Sequence, residues 1–153
     1  MIRIMGVYRS GEPDRGGAAG SSGRLDDPGA RTTGPVTDDE LSRARAAAEQ
    51  PSDFAWIDLT DPTRAEVDQV ARIFDLEPLL LEDATSRQQR AKLEIGTRKL
   101  FVLLKVLEWV DDTSDVETGQ VSCFVGPGYA ITMREGRSED TQAVAARLAA
   151  HPD

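Results

Sequence analysis

Two adjacent carboxylates, Glu82 and Asp83, close a run of three leucines in the stretch LEPLLLEDATSRQQRAKLE (76–94), and Arg87, Arg90 and Lys92 follow them. Neighbouring positions on a helix do not face each other, so these acids make a poor general acid/base pair across one substrate. Late in a short helix they also meet the negative end of the backbone dipole, and a cation is expected to offset that. Two chemistries would do so. Pairing with Arg87 or Arg90 would give a surface ion pair worth about 0–1 kcal/mol. A divalent cation is the alternative, since magnesium uses only one or two carboxylates plus waters. Spacing alone leaves both open.

The other reactive side chains offer less. Asp58 and Asp61 in WIDLTDP resemble a strand-end aspartate nucleophile, but Thr60 stands where a phosphatase pattern needs its second acid. The plainer expectation is a strand-to-helix turn in which aspartate accepts backbone N–H bonds. The lone cysteine, Cys123, lies in the apolar run VSCFV and reads as a buried thiol; it excludes an internal disulfide and a multi-cysteine zinc site. His151 is the only histidine, which leaves almost no material for a Ser-His-Asp triad or a zinc helix. No enzyme is expected. A net charge of −9 without a basic stripe argues against a nucleic-acid partner. The Gly-rich run RGGAAGSSGR lacks the Gly-Lys-Ser/Thr of a phosphate cradle.

The elements that would position the acids follow from pattern. The 153 residues suffice for one domain with a real core, and 39% hydrophobic content is ordinary for a globular protein. No signal peptide is evident at the start, and no apolar run approaches the roughly 18 residues of a membrane span. Residues 1–9 suggest a first strand, and residues 10–35, rich in Gly, Asp, Pro and Ser, a long flexible loop. Thr37 with Glu40, and Thr63 with Glu66, have capping-box spacing and predict helices over 38–50 and 64–75. FAWIDL (54–59) predicts a strand between them. Val67, Val70, Ile73 and Phe74 share one helical face, which should pack on a sheet. Pro78 suits the first turn of a short helix reaching Ala84 or Thr85, which Leu79 to Leu81 should anchor to the sheet. Strands are then expected from Leu93 and Ile95, over 99–109, over 116–125 and over 129–133, with turns at 111–114 and at Gly126-Pro127-Gly128. A closing amphipathic helix over 138–150 would turn Val144 and Leu148 inward. The order predicts a mixed, largely antiparallel sheet flanked by helices, an α/β class.

From Trp56 onward, about two-thirds of the chain resembles the cytoplasmic N-terminal domain of CorA-type divalent metal ion transporters. The matching pieces are WIDLTDPT (56–63), LEPLLLED (76–83), QRAKLE (89–94) and QVSCFVGPGYAITMREG (120–136), in the same order and spacing. Two departures stand out: Glu77 replaces the family's His before Pro-Leu, and Ala91 replaces the Pro of Gln-Arg-Pro-Lys. The resemblance implies an α/β/α sandwich that assembles as a pentamer below a membrane pore. It implies regulatory magnesium, or cobalt or another divalent cation, bound where subunits meet. Asp83 matches the position that contacts the ion, and Glu82 lies beside a second site. The partner carboxylates would come from a later segment and from a neighbouring subunit. Neither the stalk helix, two apolar spans nor the Gly-Met-Asn pore motif occurs in the sequence. The expectation is a soluble portion on the cytoplasmic side of the plasma membrane, tied to that membrane only through a later part and unable to conduct ions alone.

Overall fold

The computed structural model describes residues 1–9, 35–49, 53–86, 89–110 and 115–136, with Thr141, Ala143, Val144 and Arg147 of the segment that follows. The chain order is β1 (Ile2–Arg9), α1 (Asp38–Ala47), β2 (Asp53–Thr60), α2 (Arg64–Phe74), α3 (Pro78–Thr85), β3 (Lys92–Ile95), β4 (Leu100–Val110), β5 (Asp115–Gly126) and β6 (Tyr129–Glu135). Both predicted capping boxes form. The Thr37 and Thr63 side chains accept the backbone N–H of Glu40 and Glu66, and each glutamate returns a bond to its cap residue. These exchanges satisfy amide groups that a helix start leaves without partners. Helix α2 ends one residue short of expectation, because Asp75 takes a left-handed conformation at φ 51°. The loop expected over 10–35 falls, up to residue 34, outside the described residues, as do the turn at 111–114 and Leu148.

The strands form a six-stranded sheet in the order β1-β2-β6-β5-β4-β3. Every neighbouring pair is antiparallel except β2 and β6, which run parallel with Ile57 opposite Ile131. One face carries Ala55, Ile57, Leu59, Phe101, Leu103, Phe124, Tyr129, Ile131 and Met133. It is buried with Leu41 and Ala44 of α1, Val67, Val70 and Phe74 of α2, and Ala84 of α3. This single cluster is the main core, and the period-2 alternation of the strands supplies its sheet half. The opposite face holds a smaller cluster of Met5 and Trp56. There Thr141, a helical residue, bonds to Asp58. Val144, expected inward, is instead exposed. Cys123 also lies on this face and is half-buried; burial raises its thiol above the ordinary cysteine value.

The GPG turn is fixed by contacts as well as by conformation. Gly128 has φ +71°, and a Cβ there would lie 2.0 Å from the Ala48 carbonyl oxygen at the end of α1. The β5–β6 turn therefore closes directly onto the α1 terminus, and the Ala55 N–H donates to the Gly128 carbonyl at 2.8 Å. Farther along the core face of β4, burial stops. Leu107 and Trp109 continue the row of Phe101 and Leu103 but are 69% and 60% exposed, opposite Thr118 and Val116.

Candidate metal centre

Helix α3 presents the acidic pair, and its carbonyl ends are accounted for one by one. Ala84 is buried, and Leu80 and Leu81 pack against the core. Leu79, expected to help anchor the helix, is 68% exposed. The Thr85 hydroxyl donates to the Leu81 and Glu82 carbonyls at 3.0 and 3.2 Å. The Ser86 N–H donates to the Asp83 carbonyl at 3.3 Å. The Ala84 carbonyl accepts from Gln120 Nε2 at 2.8 Å, and Lys105 Nζ donates to Gln120 Oε1 at 2.5 Å. These bonds satisfy carbonyls that a helix end otherwise leaves without donors. A buried amide on β5, itself fixed by a cation on β4, thus sets the position of the α3 terminus.

The cation that meets Asp83 is Lys92. The sequence pointed to Arg87 or Arg90 as the ion-pair partner. Arg87 lies outside the described residues, and among those described the side chain on Asp83 belongs to Lys92. Strand periodicity explains this. In K-L-E of β3, Lys92 and Glu94 share the face of Phe101 and Leu103, toward α3, while Leu93 turns away. The Lys92 ammonium donates to Asp83 Oδ2 and, at 2.6 Å, to Glu94 Oε1. It also lies 5.5 Å from the centre of the Phe101 ring, within cation–π range. The hydrogen bond to Asp83, then that to Glu94, holds Lys92 above the usual lysine value. Glu82 is exposed beside this group and points elsewhere on the helix, as adjacent positions must.

As donors, Glu82 and Asp83 are hard carboxylate oxygens, suited to magnesium or a similar divalent ion. They make only part of a coordination sphere. Among the described residues, no group of three or more His, Cys, Asp or Glu is placed to hold a metal ion. The donor chemistry of the pair fits part of such a coordination sphere.

Asp58 does not sit in the strand-to-helix turn expected of it. It lies within β2, fully buried, and Arg134 of β6 grips it through two bonds, Nε to Oδ1 at 3.1 Å and Nη2 to Oδ2 at 2.7 Å. Thr132 donates to Oδ1 at 2.6 Å, Thr141 to Oδ2 at 3.1 Å and Thr60 to Oδ2 at 3.4 Å. Trp56 Nε1 in turn donates to the Thr132 hydroxyl at 3.1 Å. A carboxylate with no exposed surface and both oxygens engaged has no approach for a substrate, which removes Asp58 as a nucleophile. The turn role falls to Asp61, which accepts the Gly136 N–H at 2.9 Å and has φ 42°. The signal for this pair was a charged residue inside each of two apolar strands, WIDL and ITMRE.

The two segments that Asp58 and Arg134 join, and the acidic pair between them, lie within one stretch recognised by comparison. The sequence profile described as CorA-like Mg2+ transporter protein matches residues 51–153. The chain belongs to the CorA family. Among curated CorA relatives, it is 31% identical over 81 residues to the cobalt/magnesium transport protein CorA of Thermotoga maritima, covering 52% of this chain and 23% of that protein. It is 30% identical over 107 residues to YfjQ of Bacillus subtilis, named as a metal ion transporter, covering 69% of this chain and 32% of that protein. The matched stretch thus spans 23% to 32% of the length of these relatives. The full-length CmaX structure superposes with a TM-score of 0.52 at 16% identity, over 66% of this chain and 30% of that one, a likeness of fold. In this CorA-like chain, no helix among the described residues is long and apolar enough to cross a membrane.

Proposed function

We propose that this chain is the metal-sensing cytoplasmic domain of a CorA-like magnesium or cobalt transporter, with Asp83 contacting a regulatory divalent cation and Glu82 beside it. The observation that carries the reading is the presentation of Asp83. It stands partly exposed at the end of α3, the helix is fastened from behind by Gln120 and the leucines, and a cationic group already lies against its carboxylate. In the assembled transporter, a homopentamer at the inner membrane, the missing ligands come from a later segment and a neighbouring subunit. The exposed strip of Leu107, Trp109 and Val116 supports association, since solvent-exposed apolar surface of this kind marks interaction sites. Cation bound between subunits holds like-charged surfaces together and favours the closed state. Falling internal magnesium releases them and shifts the population toward opening.

The test is Asp83→Ala in the complete transporter. The variant should change the magnesium concentration at which ion flux is shut off, with closure no longer set by the wild-type magnesium range. Closure that stays equally magnesium-sensitive would remove the role assigned to Asp83. A second reading, a structural interaction domain without metal, is favoured by the Lys92–Asp83 pair itself. On that reading Asp83→Ala alters folding stability and leaves magnesium sensitivity alone.

A further inference from the structure

We propose that Lys92 is a tethered competitor for the cation position at Asp83, one that sets the concentration at which a divalent ion takes over. The inference rests on the metal-sensing reading above and assigns the residue that tunes it. Three observations carry it. The ammonium lies directly on Asp83 Oδ2, where it stands in for a bound cation. The same ammonium is held by Glu94 at 2.6 Å and lies over the Phe101 ring at 5.5 Å. The group is also accessible, with side-chain exposures of 28% for Lys92 and 20% for Asp83.

The arrangement makes exchange inexpensive in the physical sense that no charge is stranded. When a divalent ion takes Asp83, Lys92 loses one partner but keeps Glu94 and the aromatic face. When the ion leaves, Asp83 is not left as an unpaired anion beside the negative end of α3, because the ammonium returns. Two states of similar electrostatic quality differ only in which cation the carboxylate holds. A competitor bound to the metal-free state lowers the apparent affinity for the ion by the population it occupies. Lys92 is therefore a positioning residue for Asp83 in the absence of metal and a brake on metal binding.

The experiment is limited proteolysis of the purified complete transporter across a magnesium chloride series, with half-protection as the readout. Lys92→Met removes the ammonium and keeps the stem. Half-protection is expected at about three- to fivefold lower magnesium, the scale of a partly exposed ion pair. Lys92→Arg restores the competitor and should return toward wild type. Arg90→Gln removes one positive charge two residues away and should shift the midpoint by less than about 1.5-fold, because exposed charges are screened. An unchanged or raised midpoint in Lys92→Met overturns the proposal, as does an equal shift in Arg90→Gln, which would reduce the effect to overall charge. Asp83→Ala separates the two levels. If that variant is protected over the wild-type magnesium range, the metal-sensing reading fails and takes the competitor with it. If Asp83→Ala moves the midpoint and Lys92→Met does not, the competitor alone fails.

Discussion

The Asp58–Arg134 pair offers the sharpest test of what holds this domain together. Arg134→Met would leave a carboxylate with no exposed surface, facing three hydroxyls among the described residues where it now also has a bidentate guanidinium. Removing one partner of a buried ion pair typically costs about 3–5 kcal/mol, most of it the orphaned charge. For a domain of this size that corresponds to a fall in melting temperature of about 10–15 °C. Asp58→Asn leaves the guanidinium orphaned in its place and should cost a similar amount. The double variant Asp58→Asn/Arg134→Met buries no unpaired charge, so it should be no less stable than the worse single variant. The resulting coupling is at least about 3 kcal/mol, well above the additivity error of distant sites. Urea denaturation of the four proteins, fitted with a common slope, measures it. Single variants within about 1 kcal/mol of wild type, or a double variant equal to the sum of the two, would refute the reasoning.

Two further outcomes follow from local geometry. Gly128→Ala places a Cβ 2.0 Å from the Ala48 carbonyl oxygen at φ +71°, so strain and overpacking act together, and urea denaturation should show a loss of about 2–4 kcal/mol. Glu40 is held below the ordinary glutamate range, first by the Thr37 N–H and then by the Thr37 hydroxyl. A depressed folded value means that its stabilisation is complete above about 4.5 and is lost as pH falls through the folded value. Glu40→Gln should therefore cost about 0.5 kcal/mol near neutral pH, and the gap to wild type should close in acid, as read from melting temperatures across pH.

The helices were legible because their start signals are local. Thr37, Thr63, Glu40 and Glu66 act within a single turn, so a capping box can be read from four adjacent letters. The strand runs were legible from alternation, and the same alternation placed Lys92 and Glu94 on one face. What spacing could not give was which cation reaches Asp83, since that depends on β3 pairing with β4 beneath α3. Arg90 is closer in sequence, but its position before the strand sets no fixed face. Asp58 failed for the same reason: its partner Arg134 lies 76 residues away, across a parallel pairing that no local signal announces. Leu79 shows the converse error. Three consecutive leucines on a helix cannot all face one sheet, because successive positions are rotated by about 100°.

The parallel pairing of β2 with β6 also bears on how the chain is made. Residues 55–60 find their neighbours at 129–134, so the strand second from the edge must wait until β6 has left the ribosome. Until then β1 covers only one side of β2, and the apolar row of Ala55, Ile57 and Leu59 lacks its β6 neighbours on the other. Pairings of such long sequence separation are slow and leave strand edges open to other chains. Nascent chains stalled before residue 129 should therefore associate with holding chaperones, and release should coincide with the emergence of Tyr129–Glu135 rather than with any earlier helix.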